Sequence, residues 1–235
     1  MDSAIIGKSG SFTVKNYVYL FHSEDLRSMI FGTLILAVVV AVISTILGTL
    51  GAIGAFYSSK KFKRPIHLMN QIPVVNADVV TGFSICVLLI VFFKMDKASY
   101  VPLVIGLVSL CSPFVYLSVI PRLKQMDPQL YEAALDLGCS PFGALRKVVL
   151  PQLTSGIVSG FMMSITLTLD DYFITTYTKP SMFDTISTYV VNATKGAQTD
   201  VKTALWALST IIFLIVIFVV IGMNHTGRKE NDHEI

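Results

Sequence analysis

The strongest constraint in this chain is a run without charge: from Ser28 to Ser59 there is no Asp, Glu, Lys or Arg. About 20 apolar residues cross a bilayer as a helix, so the segment 29–57 is long enough to span one and to tilt within it. Composition extends the reading to the whole chain. Hydrophobic residues make up 53% and charged residues only 14%, where soluble domains carry about a quarter charged. The expected fold class is all-α, a polytopic membrane helix bundle.

Four more apolar stretches follow the first, at 67–93, 100–120, 151–176 and 204–223. The second carries Pro73 near its start and Asp78 within it. The fourth holds Gly156 and Gly160 at the small-xxx-small spacing of packed membrane helices, together with the adjacent pair Asp170 and Asp171. The first ends in Gly48 to Ala55, GTLGAIGA, whose small side chains permit close helix contact. Basic clusters at Lys60 to Arg64, Arg122 with Lys124, Arg146 with Lys147, and Arg228 with Lys229 fall on one side of five alternating spans. By the positive-inside rule that side is cytoplasmic. Residues 1–28, the turn near Asp96 and the loop from Tyr177 to Thr203 then lie outside, and residues 122–150 form a cytoplasmic connector. Residues 1–27 are polar and mixed in charge, without the apolar core of a secretory leader.

The connector explains itself locally. Asp127 can cap a helix beginning at Pro128, where a missing N–H costs nothing, and Gly138 can supply the left-handed residue that ends it. Ser140 and Pro141 repeat the same start, so a second helix runs from Pro141 toward the membrane. Leu130, Ala133, Ala134 and Leu137 fall on one face of the first helix, with Glu132 and Asp136 on another. Two readings of this unit stand: a helix offered to the groove of another protein, or an amphipathic connector lying along the headgroups. A DNA-reading helix-turn-helix does not suit a segment flanked by membrane spans, and no feature points to nucleic acid.

Cys86, Cys111 and Cys139 share no CxxC or Cys/His spacing and read as packing thiols. His22, His67, His225 and His233 are scattered near span ends or in the tail, so no metal site is expected. Gly7, Lys8 and Ser9 match the end of a phosphate-binding loop, but Asp2 stands where that loop requires glycine.

Within the connector, Glu132, Ala133 and Ala134 are followed by Gly138 and then, after nine further residues, by Val148, Leu150 and Pro151. This spacing resembles the E-A-A-x-x-x-G-x9-I-x-L-P signature of permease subunits of ABC importers, with Val148 in the usual place of Ile. Ser11 to Phe21, Ile72 to Phe83 and Thr166 to Pro180 (TLTLDDYFITTYTKP) are similar to segments of spermidine/putrescine permeases of the second-permease type. The last departs from their pattern in Thr168 for Ser, Tyr177 for Phe, and one residue fewer before Pro180.

The resemblance implies a type I ABC importer permease, a kind expected to have six spans where five are visible here; either the recorded start falls after the first span or the chain is a five-span variant, and the connector is cytoplasmic in both. It implies a dimer of ATP-binding subunits, a second homologous permease, an extracytoplasmic substrate-binding protein, surrounding membrane lipid and a polyamine substrate. No cofactor is expected on this chain, which is not read as an enzyme, because ATP is bound and hydrolysed by the partner subunit. Glu132, Ala133, Ala134, Gly138, Leu150 and Pro151 are the expected ATPase-coupling residues. Asp78, Asp170, Asp171 and Tyr172 are the candidates for the substrate path, since carboxylates inside spans cost about 2.5–3.5 kcal/mol on insertion scales and so face protein or water. Tyr172 and Phe173 offer faces to methylenes or ammonium groups. Adjacent helix positions point about 100° apart, so Asp170 and Asp171 cannot line one stripe, and one of them can be a partner for a backbone donor. Packing or folding determinants remain the alternative for these acids. Another small solute (thiamine, ferric iron or an oxyanion) is the alternative cargo, and a secondary transporter is the rival class.

Overall fold

The computed structural model describes residues 24–59, 65–66, 68, 70–71, 78–96, 98–127, 129–195, 214, 217 and 221. The 204–223 stretch, the basic cluster at 60–64, Pro73 and the tail therefore lie outside the described residues, or nearly so. Every regular element among the described residues is helical: α1 (Glu24–Tyr57), α2 (Asp78–Cys86) running on as a π-helical segment Val87–Phe92, α3 (Val101–Gln125), α4 (Gln129–Asp136), α5 (Pro141–Ala144), α6 (Thr154–Asp170), α7 (Phe173–Thr178) and α8 (Ile186–Lys195). Between α5 and α6 the chain passes through a π turn, Leu145–Val149, and a single turn, Leu150–Gln152.

Two of these helices, over Arg27–Tyr57 and Val101–Gln125, are long and apolar enough to cross a membrane, and the pair Pro141–Gln152 with Thr154–Asp170 adds a third if counted as one bent span. The third apolar stretch continues past 120 as helix to Gln125, so Arg122 and Lys124 sit on the last turn of α3 and not in a loop. Pro113 and Pro121 lie inside that helix without ending it.

The stretch 151–176, read above as one span, is not one continuous helix. It is bent by 71° around Leu153, and α6 stops at Asp170, with Asp171 extended at φ −65°, ψ 124°. Pro151 accounts for part of the first break. It carries no N–H, and just before it Leu150 bonds back five residues to the Leu145 carbonyl, the π pattern.

Helices α1, α3 and α6 pack on one another, and glycine sets their spacing. A Cβ on Gly48 would stand 2.6 Å from Val115 Cβ, and one on Gly160 3.0 Å from Val115 Cγ1. Val115 of α3 is thus held between the bare backbones of α1 and α6. Gly156 lies likewise against the Ser118 carbonyl and Arg122 Cγ, where a Cβ would approach to 3.0 Å. Two buried clusters result. One joins Ala52 and Ala55 to Val115, Tyr116, Val119, Ile120, Leu123, Met126, Val149 and Leu153, and so ties one end of these helices to the connector. The other gathers Leu36, Val40, Leu103, Leu107, Cys111 and Ile174 toward the opposite end.

Candidate functional site

The connector folds as two capped helices. Asp127 Oδ1 accepts from the Gln129 N–H at 2.9 Å and so caps α4. At the other end Gly138 takes φ +85°, its N–H bonding to the Leu135 carbonyl at 2.9 Å while the Cys139 N–H bonds to Ala134 O at 3.1 Å. That pair of bonds is a Schellman closure. Ser140 then accepts from the Gly143 N–H at 3.2 Å, and Pro141 opens α5.

The signature residues do not all face the same way. Glu132, Ala133, Gly138 and Pro151 are exposed and Leu150 is half-buried, whereas Ala134 is buried. Leu130, Ala133, Ala134 and Leu137, read as one face, do not share one environment: the other three are exposed and Ala134 turns inward. The rest of the unit presents apolar side chains outward. Leu137 is 86% exposed and Phe142 75% exposed, high values for large apolar groups.

The second arrangement lies where α6 gives way to α7. Asp170, the last residue of α6, is exposed, and its carbonyl accepts from Ser187 Oγ at 3.2 Å. Asp171 is buried, and its Oδ2 accepts both the N–H and the Oγ1–H of Thr175 at 2.8 Å each. The two neighbours thus part company: one is open, and the other holds a backbone donor in α7. Tyr172 is half-buried, its ring edge-on to that of Phe173 with centroids 5.3 Å apart. Asp78 is the first residue of α2, and its side chain lies outside what is described.

Helix α7 is seated by contacts that local sequence patterns do not announce. Ile174 is fully buried against two glycines on different helices, Gly82 of α2 and Gly106 of α3. The Tyr177 carbonyl accepts from Cys86 Sγ at 3.3 Å. After α7, Lys179 pairs with Asp184 and also donates to the Phe183 carbonyl at 3.0 Å, closing a short turn. Thr185 and Thr188 exchange hydrogen bonds at the start of α8, and the Ile186 N–H donates to Thr33 Oγ1 of α1 at 3.2 Å. Ile174, Thr175, Gly82 and Gly106 were not singled out from the sequence. The one available signal was Asp171 standing four residues before Thr175. Among the described residues no cluster of three His, Cys, Asp or Glu side chains forms a metal site.

Comparison with known proteins places this arrangement. The spermidine/putrescine transport system permease protein PotC of Escherichia coli K12 is 28% identical over 221 residues, covering 93% of this chain and 81% of PotC. The putrescine transport system permease protein PotI of the same strain is 28% identical over 224 residues, covering 90% of this chain and 76% of PotI. Among solved structures, a bacterial ABC transporter involved in the import of the acidic polysaccharide alginate superposes with a TM-score of 0.75 at 17% identity, over 94% of this chain and 85% of that one. At that identity the likeness concerns the fold alone, which is that of type I ABC importer permeases. Residues 44–227 match the family described as binding-protein-dependent transport system inner membrane component, and the chain belongs to that family of membrane-embedded ABC importer permeases.

Proposed function

We propose that this chain is a multi-pass permease subunit of an ATP-driven importer in the cytoplasmic membrane, moving a polyamine such as spermidine or putrescine by alternating access. The similarity to PotC and PotI over most of the chain is the observation that carries the cargo class. Its partners are a dimer of ATP-binding subunits, a second homologous permease and an extracytoplasmic substrate-binding protein. The chain itself takes no cofactor and performs no chemistry; nucleotide is hydrolysed on the partner.

The connector is the docking element. Leu137 and Phe142 stand exposed on the cytoplasmic side, where burial in a partner's cleft removes them from water. Glu132 offers an exposed carboxylate for a charge-assisted hydrogen bond to a basic group there. Ala133 lets the helix approach closely, and Gly138 sets the turn. Ala134, Leu150 and Pro151 act on the inner side, joining the docking helix to the bundle. Because Met126, Val149 and Leu153 belong to the same buried cluster as Ala52, Ala55 and Val119, movement of the connector is passed to the ends of α1, α3 and α6 together.

At the other end, Asp170 and Tyr172 face the cargo path. A carboxylate near a helix terminus in the membrane does not face hydrocarbon, and Asp170 is in no ion pair among the described residues, so a polycation suits it as a counter-charge. The test is reconstitution with the ATPase, second permease and binding protein in liposomes, with spermidine as probe. Spermidine uptake that depends on ATP and is abolished by Glu132→Lys, together with loss of ATPase association, supports the reading. Transport without the ATPase, or full uptake by Glu132→Lys, refutes it.

A further inference from the structure

We propose that Asp171 is a positioning residue and not a cargo ligand: it locks α7 so that Ile174 is clasped between Gly82 and Gly106, and this clasp fixes where Asp170 and Tyr172 stand. The inference deepens the cargo-path reading above and rests on it for the role of Asp170.

The geometry is specific. The Asp171 N–H continues the α6 ladder to the Leu167 carbonyl at 3.0 Å, after which the backbone turns extended. One oxygen of its side chain then takes both donors of Thr175, a residue with no exposed surface, and so fixes the first turn of α7 relative to the end of α6. Ile174, one residue earlier, is pressed into a slot that only glycine leaves open. A Cβ on Gly82 would meet the Ile174 backbone, at 3.1 Å from Cα and 3.2 Å from N, and a Cβ on Gly106 would meet Ile174 Cγ2 at 2.8 Å. Two separate elements, α2 and α3, therefore converge on one residue of a third. Packed seats of this kind hold or release and do not deform gradually, so a shift of α2 against α3 either carries α7 along or unseats it. Asp170 and Tyr172 flank Asp171 directly and move with whatever it holds.

The two roles for Asp171 separate cleanly in the assembled transporter reconstituted in liposomes, with spermidine uptake as the readout. Asn at 171 keeps an acceptor oxygen for Thr175 and loses the charge. Asp171→Asn is expected to stay within about threefold of the native KM and maximal rate, because the acceptor survives, while Asp171→Leu loses about tenfold or more in maximal rate or fails to assemble. Gly106→Ala is expected to lower the rate, and addition of Ile174→Ala to restore part of it, since the clash at 2.8 Å is with a removable methyl. Gly82→Ala is restored less by the same change, because two of its three close contacts, at Ile174 Cα and N, are with backbone. A KM raised about tenfold by Asp171→Asn overturns the proposal, since charge would then be what matters, as does Gly106→Ala without effect. An unchanged KM in Asp170→Asn sinks the cargo-path reading instead, so the two failures are told apart.

Discussion

Replacing Gly138 with alanine isolates one physical quantity in the proposed docking element. Its φ of +85° lies in the left-handed region, and a methyl group added there meets nothing within 4 Å. The cost of the substitution is therefore all backbone and no packing. A left-handed conformation costs an L-residue about 1–2 kcal/mol, and that range corresponds to about a 5- to 30-fold change in an equilibrium. The turn it strains is where the Cys139 N–H reaches back to Ala134 O, so the equilibrium constant for closing the Schellman turn falls by that factor while the bundle, which Gly138 does not touch, is unaffected. If the ATPase recognises α4 and α5 in this closed arrangement, its Kd for Gly138→Ala rises by up to about 5- to 30-fold. Asparagine tolerates the left-handed region better, so Gly138→Asn rises less. Gly54→Ala is the control: nothing lies within 4 Å of that Cβ either, and its φ is not positive. The assay titrates purified ATPase subunit onto the detergent-solubilised permease pair and follows fluorescence anisotropy. A native Kd for Gly138→Ala, or equal losses for alanine and asparagine, refutes the argument that the turn presents the connector.

Other outcomes follow from single contacts. Gly48→Ala places a methyl 2.6 Å from Val115 Cβ and 2.8 Å from the Ser112 carbonyl, so overpacking of about 1–3 kcal/mol outweighs the roughly 1 kcal/mol that alanine gains in a helix, and the melting temperature of the solubilised protein falls. The same substitution at Gly54, with open space around it, raises the melting temperature by about 2–4 °C. Leu137→Lys removes the most exposed leucine of the connector from any apolar cleft and is expected to weaken ATPase binding about tenfold or more without lowering that temperature, because the side chain is 86% exposed. Asp170→Asn is expected to raise the KM for spermidine about tenfold while leaving ATPase association intact.

What the sequence disclosed was what is decided locally. Asp127, Gly138, Ser140 and Pro141 act through their own and adjacent backbones, and their caps are found where those residue types point. Gly48, Gly156 and Gly160 mark close helix approach because small residues at four-residue spacing have little other use in a membrane helix. What stayed hidden depends on distant partners. The run from Thr166 to Thr176 is apolar enough to look like continuing span, and only Thr175 bound to Asp171 shows that α6 ends and a new helix begins. Ala134 looked equivalent to Ala133 on a helical projection, since nothing in the sequence says which side of α4 lies against the bundle. Gly82 and Gly106 sit alone in their helices, and their common partner, Ile174, comes from far along the chain.

If the connector docks on an ATPase as proposed, the break at Leu153 decides how its motion reaches the membrane. A 71° bend with proline two residues earlier has the shape of a free hinge, and a free hinge would absorb movement without passing it on. Leu153 is not free. It is fully buried in one cluster with Val149 on the connector side and with Val119 and Leu123 of α3, while Gly156, one turn into α6, lies against the Ser118 carbonyl of α3. The corner is therefore packed on both arms against the same helix. Displacing α5 must move the end of α3 and the start of α6 with it, or open a cavity costing about 2–5 kcal/mol per large side chain unseated. A bend that is covalently sharp but tightly packed behaves as a rigid elbow, and a rigid elbow is what the proposed docking of the connector on an ATPase requires.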